Sequence, residues 1–274
     1  MSAGIVGYDN AGDNDQPSPI VWQDCKNTLL PDLGLGYYKH VEFLAPLADT
    51  IASGEQRPVL DGALAIDCDD DTVFAAKAAE VGGYQDVETD GTDNDAFALF
   101  SEPLGRIQKG SGQKIWAEAR IELGAIADQG LFFGLVEEAG ASRDVVADDA
   151  GALIGESLVG FQILTDDQDG VDAVYRKDAG TVVEAASVVN NSTAIAVADR
   201  ADLVADTEFK LGVRYDGRNT IYWYFNGVQV ASQEVDSTVD QAKNYCAILS
   251  LKTGAAAAVS IATDWVRYAA QKRT

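Results

Sequence analysis

The sequence predicts an all-β protein, a two-sheet antiparallel sandwich with an extended N-terminal arm. Three features carry that prediction. The first is a double hairpin: Phe209–Tyr215, the turn Asp216-Gly217-Arg218-Asn219, Thr220–Phe225, the turn Asn226-Gly227, and Val228–Ser232. Asn-Gly between two β-rich runs specifies a type I′ turn, because both of its residues need positive φ. The second is the recurrence of roughly a dozen short strand-like runs separated by turn residues, the pattern of a sandwich. The third is proline: Pro17, Pro19, Pro31, Pro46 and Pro58 are five of the six in the chain. Proline lacks a backbone donor and resists helix interiors and central strands. We therefore expect an arm over residues 1–58, partly docked on its own domain or on a neighbour, and a jelly-roll sandwich domain over 59–274.

Within the arm, Ile20-Val21-Trp22 and Leu35–Leu44 carry enough apolar surface to dock, and the second also reads as a first strand. Trp22, Tyr37 and Tyr38 are interface candidates there. Beyond residue 58, Ala63–Ile66 and Ala96–Phe100 flank an acidic, Gly-rich stretch with a helical turn expected at Thr72–Ala79. Lys114–Leu123 alternates in part, as a strand with one solvated face does. Leu131–Val136 is apolar on both faces and reads as a central strand. Val159–Leu164 and Val171–Lys177 follow, joined by Asp166-Asp167-Gln168-Asp169-Gly170. Glu137–Ser157 is the longest connection in this ladder, with a short helix expected at Asp144–Gly151. Tyr245–Leu251 and Ala257–Tyr268 complete the set. Trp116, Trp223 and Trp265 lie in strands, where a large ring usually fills the space between sheets. Tyr222 and Tyr224 alternate with Trp223 and so share the opposite face. With Trp223 inward they form an outward stripe, open to a sugar ring or a subunit contact, with plain cross-strand pairing as the alternative.

Hydrophobic residues make up 47% of the 274, ample for a packed core. Lys+Arg 20 against Asp+Glu 44 gives a net charge of −24, which argues against nucleic-acid and anionic-membrane partners. Cys25, Cys68 and Cys246 are odd in number, far apart and without Cys-x-x-Cys spacing, so neither a disulfide framework nor a zinc site follows. Cys246, in an apolar run, reads as a buried inert thiol. The first residues lack the basic and apolar regions of a signal peptide, and no apolar run approaches the roughly 20 residues that span a bilayer. A soluble protein made in a cytoplasm is expected.

The chain holds a single histidine, His40, with no triad motif around it, and no nucleophile elbow, phosphate loop or His-Glu-x-x-His. Glu118 and Glu122 share one face of a strand, with Arg120 between them. That arrangement suits a solvated strand surface as well as a pair of glycosidase carboxylates. The expectation is a protein that is not an enzyme and needs no cofactor. A structural calcium is the one metal considered, in Asp166, Asp167 and Asp169 of one turn or in Asp90, Asp93 and Asp95 of another. Both turns gather oxygen donors, but neither completes a known loop, and Asp is an ordinary turn former.

The C-terminal ladder resembles concanavalin-A-like (laminin-G-like) jelly-roll sandwiches. The resemblance rests on the Tyr215-Asp216-Gly217 hairpin, on Tyr224-Phe225-Asn226-Gly227, and on the closing Ala262-Thr263-Asp264-Trp265-Val266-Arg267-Tyr268. Over most of residues 20–270 the chain is similar to structural proteins of tailed bacteriophages. Val21–Cys25, Asp90–Asp95, Gly134–Glu138, Gly160–Leu164 and Asp172–Lys177 carry that likeness. The resemblance implies a virion component on the outside of a phage head, a decoration (cement) protein made in the bacterial host. Its partners would be the major capsid protein and its own copies, with a homotrimer favoured. The alternative is a glycan-binding module of a tail or head fibre.

Overall fold

The computed structural model describes residues 17–25, 36–43, 49–51, 57–59, 64–69, 71–77, 83–165, 167–189 and 203–271. Among them, eighteen strands run in chain order. The first nine are β1 Gly36–Glu42, β2 Asp49–Ile51, β3 Arg57–Val59, β4 Leu64–Cys68, β5 Thr72–Ala76, β6 Gln85–Glu88, β7 Ala96–Phe100, β8 Gly105–Arg106 and β9 Ile115–Leu123. The rest are β10 Gln129–Glu137, β11 Leu158–Leu164, β12 Asp167–Arg176, β13 Val183–Val189, β14 Glu208–Tyr215, β15 Thr220–Phe225, β16 Val228–Glu234, β17 Asn244–Thr253 and β18 Ser260–Gln271. They form two antiparallel sheets. Sheet A has the order β16-β15-β14-β9-β18-β6-β5-β2, with β1 also on β18. Sheet B has the order β13-β12-β11-β10-β17-β7-β4-β3, with β8 also on β17.

Period-two alternation builds the core between the sheets. Ile115, Ala117, Ala119, Ile121 and Leu123 of β9 join Leu131, Phe133 and Leu135 of β10 and their neighbours in one large cluster. Trp223 of β15 belongs to this cluster, and its indole Nε1 donates to the Gly160 carbonyl of sheet B at 2.8 Å. The double hairpin forms as its turn residues require: Asn226 and Gly227 have φ of 48° and 77°. Leu131–Val136 lies inside β10, flanked by β11 and β17, as its two apolar faces demand.

The outer face of sheet B is also dry. The connection between β10 and β11 folds over it, packing Val145, Val146, Ala150 and Leu153 on Ala98, Phe132, Val136, Val174 and Ile248. Ion pairs staple it down: Arg143 to Asp69 at 3.0 Å, and the buried Lys252 to Asp148 at 2.8 Å. The helix expected at Asp144–Gly151 is instead two single 3₁₀ turns, Arg143–Val145 and Asp148–Ala150.

Other expectations are corrected as well. Residues 72–76 are strand β5 rather than a helical turn, because Phe74 must enter the core opposite Val87 of β6. The turn read at residues 166–170 is tighter: Leu164 of β11 already pairs with Asp167, so Asp167 and Asp169 belong to β12. Strands β1 and β2 come from the first 58 residues, and β3 spans the expected boundary.

Gly134 and Gly160 pair directly across β10 and β11. A Cβ on Gly134 would meet the Val159 carbonyl oxygen at 2.2 Å and the Gly160 Cα at 2.5 Å, both backbone atoms that cannot swing away. Gly134→Ala is expected to cost about 1–3 kcal/mol by overpacking. Gly140→Ala, whose Cβ meets nothing nearer than 3.5 Å, should stay within about 0.5 kcal/mol of the parent. Urea unfolding of the two variants checks the contrast.

Candidate functional site

The strand alternation that turns Ile115, Ala117, Ala119 and Ile121 into the core turns Trp116, Glu118, Arg120 and Glu122 onto the outer face of sheet A. Register sets their neighbours. Glu118 lies opposite Gly212 of β14 on one side and Arg267 of β18 on the other. A solvated face is the sequence expectation, yet Glu118 is only 1% exposed, and Arg120, Glu122, Lys210, Arg214 and Arg267 are buried with it.

Residues 17–25 cover the centre of the face. The Ser18 backbone N–H donates to both oxygens of Glu118, at 3.2 and 3.1 Å, and the Trp22 indole N–H donates to Oε2 at 2.5 Å. Val21 settles over Gly212, where a Cβ would stand 3.0 Å from its methyl group. Val21, Trp22 and Cys25 then pack with Trp116, Tyr224 and Ala269. Arg267 is wrapped by rings, 5.2 Å from the centroid of Trp22, 5.5 Å from Tyr38 and 6.0 Å from Trp265. Trp116 and Trp265 therefore serve this outer layer, and Trp223 alone of these three strand tryptophans enters the intersheet core.

Beyond the covered centre, ion pairs neutralise the remaining charges. Arg120 bridges Glu208 and Asp264, and Lys77 pairs with Glu122. Glu118 and Glu122 are thus committed to separate partners. Burial pushes the Glu118 carboxyl up to about 6, against the hydrogen bonds from Ser18 and Trp22 and the charge of Lys210 that favour ionisation. His40 accepts at Nδ1 from Arg267 at 2.9 Å, and its pKa falls to about 4 through desolvation and then the charge of Arg267. It is a neutral acceptor at pH 7.

The other sequence candidates scatter. Tyr37 tilts against Tyr268. Tyr222 and Tyr224 do share the outer face, with ring centroids 6.4 Å apart, but Tyr224 is sealed beneath residues 17–25 and only Tyr222 reaches the surface. Asp166 lies outside the described residues, as do the side chains of Asp167 and Asp169. The Asp90–Asp95 turn closes on itself. Asp90 accepts from the Thr92 N–H at 2.6 Å and from the Asp95 carboxyl, whose pKa is pushed up to about 7 by burial and then by Asp90. Among the described residues no group of three His, Cys, Asp or Glu side chains is arranged to hold a metal. Cys25 is buried, Cys68 and Cys246 are buried free thiols, and burial pushes Cys246 up to about 12.

At the edge of the covered centre a cleft of about 330 Å³ opens, lined by Gln23, Asp24, Lys114, Arg214, Asp216, Arg218 and Tyr222. The 216–219 turn and the 110–114 loop build it, held together by Gly112 N–H to the Gly217 carbonyl at 2.8 Å and by Gly110 N–H to the Arg218 carbonyl. Gly217, at φ 76°, is required twice over, since a Cβ would also press Gly112 and Lys114 at 3.0 Å. Asp216 accepts at Oδ1 from the N–H groups of Arg218, Asn219 and Thr220. The sequence does not reveal this cleft. Alternation places Arg214 and Tyr222 on one face, but no local signal brings Lys114 and Asp24 beside them.

No family model matches the chain, and no curated protein matches it in sequence. Solved structures do match in fold. A protein of unknown function from Shewanella oneidensis is 12% identical, with 90% of this chain and 92% of that chain covered and a TM-score of 0.54. Peanut lectin is 13% identical, with 86% and 98% covered and a TM-score of 0.51. A β-glucanase of Bacillus licheniformis is 11% identical, with 86% and 99% covered and a TM-score of 0.47. The fold is the concanavalin-A-like jelly-roll sandwich. The expectation that the chain is not an enzyme is corrected: this fold serves enzymes as well as lectins, so missing catalytic motifs do not exclude catalysis. The likeness reaches the fold and does not extend to a phage origin or a place on a capsid.

Glu118 supplies a pH test of the covered face. Its folded pKa of about 6 stands above the ordinary 4.5, so the native state binds its proton more tightly than the unfolded chain does. Its contribution is full below about pH 4.5 and is lost as pH rises through about 6, a change of about 2 kcal/mol. Glu118→Gln should remove that change. Urea unfolding of both proteins from about pH 4 to pH 7 is expected to show the variant gaining on the parent by about that amount.

Proposed function

We propose that this concanavalin-A-like sandwich is a carbohydrate-binding module whose binding site is the cleft beside Tyr222. The observation that carries the proposal is the lining: donors from Lys114, Arg214, Arg218 and Gln23 surround one partly exposed aromatic ring. Sugars are recognised by hydrogen bonds to hydroxyls together with a ring against their C–H faces, and a cleft of about 330 Å³ lies in the range of small-ligand sites. Peanut lectin, a lectin on the same fold, supports the reading by analogy. The head-decoration role rests on the sequence resemblance alone, whereas the glycan-binding reading also draws support from the cleft and its lining. Full-length protein on a broad glycan panel should bind at least one class, and Tyr222→Ala should weaken that binding at least tenfold. No binding to any glycan would overturn the proposal.

A further inference from the structure

We infer that the cleft selects acidic saccharides, binding a carboxylate or sulfate group between Arg214, Arg218 and Lys114; this rests on the carbohydrate-binding reading of the same site. The first argument is local charge. The chain carries −24 overall, yet the cleft gathers three cations against Asp24 and Asp216. Asp216 is oriented by three backbone N–H groups of its own turn that donate to Oδ1, and with both carboxylates counted the cleft keeps an excess of one positive charge. Asp24 meets Arg214 at 3.5 Å and Lys114 at 3.7 Å, both long for an ion pair.

The second argument is Arg214 itself. This residue is 6% exposed, a position where a guanidinium is costly unless its donors are met. Among the described residues its ion-pair partner is Asp24, through Nη2, and its Nε has no hydrogen-bond acceptor. One face rests 5.5 Å over the Tyr222 ring. That contact offers charge compensation without an acceptor. With Nε sealed from solvent, an anion in the cleft would meet the terminal nitrogens of the guanidinium together with Lys114 and Arg218, and would give them charge-assisted acceptors. Arg218 stands exposed at the mouth, with no ion pair among the described residues, and completes the clamp. Gln23 and Tyr222 remain to meet the hydroxyls and the ring face of the sugar that carries the acid.

The test uses the full chain and three probes: an oligogalacturonate, its carboxyl-reduced neutral counterpart, and sodium sulfate alone. Calorimetry should show the acidic oligosaccharide bound at least tenfold more tightly than the neutral one, with affinity falling as salt rises. Arg218→Ala, a surface change that spares the buried Arg214, should lower acidic binding about tenfold, and Arg218→Glu should abolish it. Equal affinity for the neutral counterpart would overturn acidic selectivity and leave the binding module standing. Loss of all saccharide binding would sink both readings together. Acidic binding indifferent to Arg218→Ala and Lys114→Ala would move it off this cleft and overturn the assignment. Sulfate bound as tightly as the oligosaccharide would reduce the cleft to a simple anion site and overturn the saccharide assignment.

Discussion

A carboxylate at the centre of a β-sheet face, shut away from water, has to be given donors or give up its charge. In this protein the donors reach Glu118 from residues 18 and 22, about a hundred positions away in sequence. Much of the outer layer of sheet A follows from that requirement. Trp22 must lie where its indole N–H can reach Glu118, so its ring falls against Arg267 and Tyr38, and Val21 falls into the gap left by Gly212. The indole is a hydrogen-bond donor on one edge and a large apolar plate on its face. It satisfies the acid and covers the cation in one placement.

Sheet B solves the parallel problem with the β10–β11 connection: the buried Lys252 of β17 meets Asp144 and Asp148 of that roof, and the roof's Arg143 meets Asp67 and Asp69. Each sheet thus has an inner apolar face and an outer face roofed by an irregular segment, and the central strands are buried on both sides. Buried ion pairs rarely add net stability, but removing one partner leaves an uncompensated charge. The roofs are therefore specific in position: sliding either one would strand several charges together.

The hairpin ending in Asn226-Gly227 is legible in the sequence because a local rule governs it. So is the central place of Leu131–Val136, whose two apolar faces leave no other seat. Thr72–Ala76 is not, since alanines and a phenylalanine satisfy a helix as readily as a strand until β6 claims Phe74. The face of Glu118, Arg120 and Glu122 misleads for a deeper reason. Alternation reports which residues are polar, and a polar face turned to water looks the same in sequence as one turned to a roof. The cleft lies beyond reach altogether. The register of β14 on β9 and the pinning of one turn on another loop bring its residues together, and neither is encoded locally. Alternation does mark Tyr222 as outward-facing, while its companion Tyr224 lies under a segment whose path only the folded chain reveals.

Strand β18 occupies the middle of sheet A, hydrogen-bonded to β9 on one edge and to β1 and β6 on the other. These partners lie within residues 36–123, while β18 itself ends at residue 271. A ribosome releasing this chain would thus hold β1, β6 and β9 with their common neighbour still unmade, and the Glu118 carboxylate would stay in water until then. Assembly of sheet A thus waits for a strand made more than a hundred positions after β9, the kind of long-range closure that is slow and exposes unpaired edges meanwhile. The acidic composition gives the waiting chains a mutual repulsion that keeps those edges apart.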